Sequence, residues 1–344
     1  MKTYLDKNVY EAALERIAYC FQEFDNVLVA FSGGKDSGVL LNLCYNYADE
    51  HGLLDKLTMY HLDYEAQYQM TTEYVTRTFL EQFPGIRKMW YCVPIKAQSA
   101  CALGEPYWTP WDAAKKKLWV RAMPENPYVV HEGNLDVPFR HGMVDYEFQD
   151  KLSRHFAKKR GTTAVMVGLR ADESLNRYAA VARGKKRRSY EGRKWITQTS
   201  AVTANVYPLY DWRVSDIWTA TARFGFDYNR LYDLLYQAGL TAGQMRVASP
   251  FNDCAQESLK LYKVIDPSNW ARMIGRVNGV NFTGLYGGTT AMGWKTIKLP
   301  PGHTWKSYYE FLLSTMDART AAHYNNILEK SKRYWMQGLS LIHI

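Results

Sequence analysis

The chain has 344 residues, 47% of them hydrophobic, with a formal charge of +9, so it can bury at least one large core and has room for two domains. No apolar run approaches the roughly 20 residues that cross a bilayer, and the N-terminus MKTYLD has no apolar signal core, which points away from a membrane protein and toward the cytoplasm. Cys20, Cys44, Cys92, Cys101 and Cys254 are scattered without a C-x-x-C pair, so neither a disulfide framework nor a zinc or iron–sulfur site is signalled.

Taken in chain order, the first half alternates short apolar runs with amphipathic patterns, the signature of a parallel sheet covered by helices. Residues 26–31 (NVLVAF) read as a fully apolar strand, and 37–51 follow with Val39, Leu40, Leu43, Cys44 and Tyr47 at helical spacing. Residues 56–62 (KLTMYHL) read as the second strand, 71–83 as the next helix and 87–93 as a third strand. Val144, Phe148, Leu152 and Phe156, four apart, form one apolar helical stripe before a fourth strand at 162–168 (TTAVMVG). Residues 94–140 hold six of the twelve prolines and the segment PYWTPW; they are too long for a simple connection and read as a functional insertion or lid. Beyond about Gly239 the alternation gives way to Gly- and aromatic-rich sequence, which suggests a separate module over 239–338. The last six residues, LSLIHI, match a translated sequencing adapter, so the natural chain is expected to continue differently after Gly338.

The first strand runs straight into Ser32, Gly33, Gly34, Lys35, Asp36 and Ser37 and then into a helix. Consecutive glycines let backbone approach an anion, and the amides at the helix start point at it. Lys35 adds positive charge, the two hydroxyls can donate to phosphate oxygens, and Asp36 could hold Mg²⁺ or cap the helix. Val29 stands where a Walker loop has its first glycine, and Asp36 where Ser or Thr would follow the lysine, so the loop is of a different type.

This hexapeptide resembles the PP-loop of the ATP pyrophosphatase superfamily, and further segments resemble its phosphoadenylylsulfate (PAPS) reductase-like branch. His61-Leu62-Asp63-Tyr64-Glu65 with Thr71-Thr72-Glu73 is similar to the branch's acidic turn and helix. Gly168-Leu169-Arg170-Ala171-Asp172-Glu173-Ser174, with Arg177 behind it, is similar to its Gly-x-Arg-x-x-x-Ser signature. Tyr207–Trp212, Asp216-Ile217-Trp218 and Tyr228–Tyr232 resemble its "PL-x-DW…D-W…YN-x-LY" segment. Within the branch, the aromatic insertion and C-terminal module are most similar to bacterial and phage proteins typified by the immunoglobulin-binding regulator A. The resemblance implies an adenine nucleotide α-hydrolase-like fold, a parallel sheet flanked by helices over residues 1–238 with an α-rich C-terminal module. It also implies binding of ATP or a PAPS-like nucleotide with Mg²⁺, adenine lying near the backbone of Tyr60, His61 and Leu62.

Arg170, Glu173, Ser174 and Arg177 follow a strand at the edge where open α/β sheets place ligands, and an arginine there can neutralise phosphate. Asp63 ends the second strand, where a carboxylate could bind metal or ribose, or cap a helix. Asp211 and Trp212 read as structural, an Asp capping a helix beside a packed Trp. Arg183, Lys185, Lys186, Arg187, Arg188, Arg193 and Lys194 form the densest basic stretch; it suits a polyphosphate, a phosphosulfate or a nucleic-acid backbone, and equally a solvated loop. Lys35, Asp36 and Arg170 are the candidate catalytic residues. Two functions stay open: an enzyme of the PAPS reductase-like kind, cleaving at the α-phosphorus or reducing by a thiol, and a nucleotide-sensing regulator or defence component with a protein partner. No Glu-Cys-Gly-type motif supplies the reductase thiol, and Cys254 in its Asn-Asp-Cys-Ala context does not match one.

Overall fold

Helix α1 (Val9–Glu23) starts on a reciprocal cap in which Asn8 accepts the Glu11 amide and Glu11 accepts the Asn8 amide. It leads into strand β1 (Asn26–Ala30) of a computed structural model that describes residues 6–102, 104–182, 189–287, 289, 291 and 298–336. Helix α2 (Lys35–Glu50), strand β2 (Leu57–Leu62), helix α3 (Gln69–Glu81) and strand β3 (Arg87–Cys92) follow in the expected alternation. Residues 94–140 contribute the two-stranded ribbon β4 (Ala97–Gln98) and β5 (Tyr107–Trp108), and then β6 (Val129–His131). The insertion thus adds an edge strand beside β3, which three residues carry too little periodicity to reveal.

Helix α4 (Asp145–Arg160) and strand β7 (Thr163–Val167) return the chain to the sheet. After α5 (Leu175–Ala182), β8 (Ser189–Tyr190), β9 (Arg193–Gln198) and β10 (Thr203–Val206) complete an eight-stranded sheet in the order β6-β3-β2-β1-β7-β10-β9-β8. Six strands, β6 through β10 in that order, are parallel, and the β9 and β8 edge is antiparallel. Helices α6 (Val214–Phe224) and α7 (Leu231–Gln237) follow. Alternate strand residues divide the core between the two faces. Val27, Val29, Met59, Trp90 and Met166 pack with α1, α2, α3 and α6, whereas Leu28, Tyr60, Tyr91 and Val165 pack with Phe148, Leu152 and Phe156 of α4.

The chain divides into two compact units, 1–288 and 289–344. Within the first, α8 (Gln256–Ile265), α9 (Pro267–Arg276) and α10 (Val280–Tyr286) share a third core with the insertion and α7. Trp108 and Val120 meet Tyr232, Phe251, Tyr262 and Met273 there. The second unit contains α11 (Trp305–Ser314), capped by Thr304, and α12 (Ala318–Met336), joined by a bond from the Tyr309 hydroxyl to Asn325 Oδ1 at 2.6 Å. No helix among the described residues is long and apolar enough to cross a membrane. The adapter-like residues 339–344 lie outside the described residues.

Candidate nucleotide site

The sheet order reverses at β1: the chain steps outward through β2 and β3, then resumes on the other side with β7. Such a switch point opens a crevice at the carboxyl ends of the strands. The Ser32–Ser37 loop and the residues after β7 meet in it. Gly33 takes φ +76, a left-handed turn that glycine adopts without strain. Helix α2 then begins at Lys35 with Gly34 as its cap, which has no side chain to bond the first-turn amides; Tyr232 takes the Lys35 amide, and the amides of Asp36 and Ser37 have no side-chain partner among the described residues. Gly168 lies so close that a Cβ there would stand 2.9 Å from the Ser37 nitrogen and 3.0 Å from the Asp36 carbonyl carbon.

The loop is held from several sides. Ser37 Oγ accepts the Ser32 amide at 3.1 Å and donates to the Gly34 carbonyl at 3.0 Å. The buried Asn229 donates to the Gly33 carbonyl and to Thr71 Oγ1, and the Tyr232 hydroxyl accepts the Lys35 amide at 3.2 Å. His61 Nδ1 lies 2.8 Å from the Phe31 carbonyl, just before the loop. Burial lowers the pKa of this imidazole and outweighs the nearby Asp63 charge, so the ring is neutral at pH 7 and donates to that carbonyl. His61 therefore supports the loop by its side chain, while Leu62 belongs to the core on the α4 face.

Asp36 binds two cations at once: Lys35 Nζ lies 2.8 Å from Oδ2, and Arg170 Nε bonds Oδ1. Burial opposes ionisation of Asp36, but Lys35 and Arg170 more than offset it and hold the carboxyl below its ordinary range. Arg170, itself buried, also bonds Asp172 and lies 3.8 Å from Glu173. Burial works against its charge, yet these carboxylates raise its pKa, so it stays cationic. Glu173 in turn meets Arg177 at 3.0 Å and Arg246 at 3.4 Å. Ser174 sits at the start of α5, its Oγ accepting the Arg177 amide at 3.2 Å. The structure thus brings Ser32, Gly33, Gly34, Lys35, Asp36, Ser37, Gly168, Arg170, Glu173 and Arg177 into one contacting cluster beyond the carboxyl ends of β1 and β7. Lys35 is more enclosed than a mobile surface charge, with its side chain 4% exposed.

Several expectations are corrected. Asp63 does not reach toward a metal or ribose and caps no helix. It is fully buried, accepts the Trp90 indole N–H at 2.8 Å and the Glu65 amide at 2.8 Å, and pairs with Arg121 of the insertion at 2.5 Å. Burial resists its charge most strongly, but Arg121 and these donors keep it ionised. Glu65, also fully buried, accepts the amides of Trp111 and Val120 and both Nε and Nη2 of Arg276, at 2.6 to 3.0 Å. The acidic turn after β2 therefore anchors the insertion and α9. Asp211 pairs with Arg16 through both oxygens, at 2.8 and 2.6 Å, and α6 is opened instead by Asp216, which accepts the Arg213 amide. Trp212 is buried and its indole donates to the Val9 carbonyl, the structural role expected of it. Of the basic stretch, 183–188 lie outside the described residues. Arg193 pairs with Glu191 and stacks on Tyr19, while Lys194 is exposed.

Mg²⁺ finds no ready cage here. Asp36 is a single carboxylate with both oxygens committed to cations, and among the described residues no group of three His, Cys, Asp or Glu side chains could hold a metal ion. Asn229 and Tyr232 lie within a motif whose loop contacts only the tertiary structure reveals. Arg246 has no motif around it.

A sequence family described as the phosphoadenosine phosphosulfate reductase domain matches residues 26–238. The chain belongs to this family. A domain of unknown function, DUF3440, matches residues 239–343 of this PAPS reductase family member. It is 35% identical over 327 residues to the uncharacterized protein YbdN of Escherichia coli (strain K12), covering 94% of this chain and 79% of that one. Among solved structures it is similar to the PAPS reductase of Candida auris in a phosphate complex, at 12% identity and a TM-score of 0.37, covering 72% of this chain and 96% of that one. It is also similar to the FMN adenylyltransferase of Candida glabrata with FAD and inorganic pyrophosphate, at 14% identity and a TM-score of 0.38, covering 67% and 64%.

Proposed function

We propose that this PAPS reductase family member is an enzyme that binds ATP or a related adenine nucleotide in the crevice between β1 and β7 and cleaves it at the α-phosphorus. The observation that carries the reading is the pairing of the α2 N-terminus, where the amides of Asp36 and Ser37 are left without a side-chain cap, with Lys35 and Arg170, two cations that meet on Asp36. Phosphate oxygens can replace Asp36 as the partner of both, so the cations are already oriented when the ligand arrives. An acceptor then attacks the α-phosphorus, the bond to the bridging oxygen breaks, and pyrophosphate leaves into the loop amides with its charge balanced by Lys35 and Arg170. Asp36 positions the two cations. His61, neutral, fixes the Phe31 carbonyl at the loop entrance. Any Mg²⁺ travels with the nucleotide's phosphates as part of the substrate.

A thiol-dependent reduction of PAPS has less support. Cys20, Cys44, Cys92 and Cys101 are buried, and burial pushes each thiol pKa up and away from the reactive thiolate. Cys254 is exposed but follows no reductase motif. A second reading, a nucleotide sensor akin to the immunoglobulin-binding regulator A type and working with a partner protein, is favoured by one contact. Tyr232 and Val247, from outside the sheet, rest against Gly34, so loop occupancy can be felt by the core that 239–287 share with the insertion.

Chromatography of α-labelled ATP products, beside a sulfite assay with PAPS on the same preparation, separates the readings. AMP or an adenylate with pyrophosphate is the expected result. ADP as sole product refutes α-cleavage, sulfite promotes the reductase, and tight binding without product favours the sensor.

A further inference from the structure

The segment Met245-Arg246-Val247 lies in the region matched by the domain of unknown function, yet it packs on the phosphate loop. Met245 and Val247 are buried in the core with Tyr232 and Phe251, which fixes the backbone on either side of Arg246. A methyl at Gly34 would stand 3.4 Å from the Tyr232 hydroxyl and 3.6 Å from Val247 Cγ2. Tyr232 itself senses both the Asp36 and the Arg246 charge. From this position Arg246 Nη1 reaches Glu173 at 3.4 Å, a long contact to a carboxylate already engaged by Arg177 and near Arg170. Arg246 Nε is buried and has no hydrogen-bond partner among the described residues. The cluster sets Lys35, Arg170, Arg177 and Arg246 against Asp36, Asp172 and Glu173, leaving one positive charge in excess.

An arginine with a buried, unsatisfied N–H and a shared, distant carboxylate costs free energy unless another acceptor completes it. A phosphate oxygen at the mouth of the loop is such an acceptor, and the planar guanidinium suits it. We infer that Arg246 is a phosphate-binding residue of the nucleotide site, supplied by the C-terminal domain of unknown function, so that this domain completes the site. The inference rests on the proposed nucleotide site. It assigns the 239–287 region a direct part in ligand recognition: the sheet provides the loop and Arg170, and Arg246 closes the cationic ring from the other side. Ligand phosphate, by taking Arg246 from Glu173, ties occupancy to the core in which Met245 and Val247 are embedded.

The test is calorimetric binding of ATP and of adenosine to the full chain and to Arg246→Ala, Arg246→Gln, Arg246→Lys and, as a charge-matched control, Arg272→Ala. Loss of a charged hydrogen bond to phosphate is expected to weaken ATP binding about tenfold to a hundredfold in the Ala and Gln variants, with Lys between them and the wild type. Adenosine affinity and the Arg272→Ala variant should stay at wild-type values. Arg246→Gln keeps the side-chain stem through Cδ and a polar end without the charge, so it serves if Arg246→Ala fails to fold. Wild-type ATP binding with no loss in Arg246→Gln overturns the role of Arg246 and leaves the site reading standing. Equal losses for ATP and adenosine overturn it too, by showing a packing effect. Absence of nucleotide binding in the wild type overturns the site itself, and Arg246 with it.

Discussion

Replacing Glu65 by Gln should destabilise the first unit more than any comparable change at an exposed ion pair. Glu65 is fully buried and the Arg276 side chain is 2% exposed, so the pair has no water to fall back on. Four donors converge on the carboxylate: the amides of Trp111 and Val120 and the Nε and Nη2 groups of Arg276. Glutamine keeps the shape but offers one oxygen, turns an NH₂ toward donors and leaves the guanidinium charge unpaired. Breaking a buried pair in this way costs about 3–5 kcal/mol, a large part of a typical stability of about 5–15 kcal/mol. The control is Glu147→Gln, whose partner Arg140 is 68% exposed; loss of such a surface pair costs about 0–1 kcal/mol. Urea unfolding followed by tryptophan fluorescence suits the test, because Trp108, Trp111 and Trp119 lie in the insertion that Glu65 anchors. A double variant, Glu65→Gln with Arg276→Met, should recover part of the loss, since it removes the orphaned charge. A loss below about 1 kcal/mol for Glu65→Gln, or no recovery in the double variant, would refute the claim that this pair ties the insertion to α9.

Three further outcomes follow from the site. Lys35→Met keeps an unbranched side chain and removes the charge that lies over the Tyr232 ring, so ATP affinity should fall about tenfold to a hundredfold; titration showing unchanged affinity would mean the loop does not hold phosphate. Gly168→Ala places a Cβ 2.9 Å from the Ser37 nitrogen, so the loop must shift; a stability loss of about 1–3 kcal/mol with weakened ATP binding is expected, and wild-type values for both would show slack at this contact. His61 has its pKa lowered by burial, so the unfolded chain binds the proton first: stability is full above the unfolded pKa of about 6.5 and declines as pH falls below it, by at most about 1.4 kcal/mol per pH unit. His61→Gln should flatten that decline in denaturation curves taken between about pH 5 and 7, and an unchanged slope would assign it to other groups.

Much of the scaffold was legible in the residues themselves. The NVLVAF run, the SGGKDS turn and the spacing of Leu40 and Leu43 determine a strand, a phosphate-type loop and a buried helix face, because apolar periodicity and glycine conformation are local properties. The same holds for the Phe148, Leu152 and Phe156 stripe and for the placement of Arg170 after a strand. Other features depended on tertiary structure. A carboxylate at a strand end looks the same in sequence whether it faces a ligand or the interior, and only the arrival of Arg121 and Arg276 decided that Asp63 and Glu65 are anchors. Asp211 looked like a helix cap until α1 brought Arg16 to it. Arg246, 73 residues from Glu173, stands in no motif. Long-range ion pairs of this kind join residues far apart in the chain, and no local pattern encodes them, because the partner that neutralises a buried charge is chosen by how the elements pack.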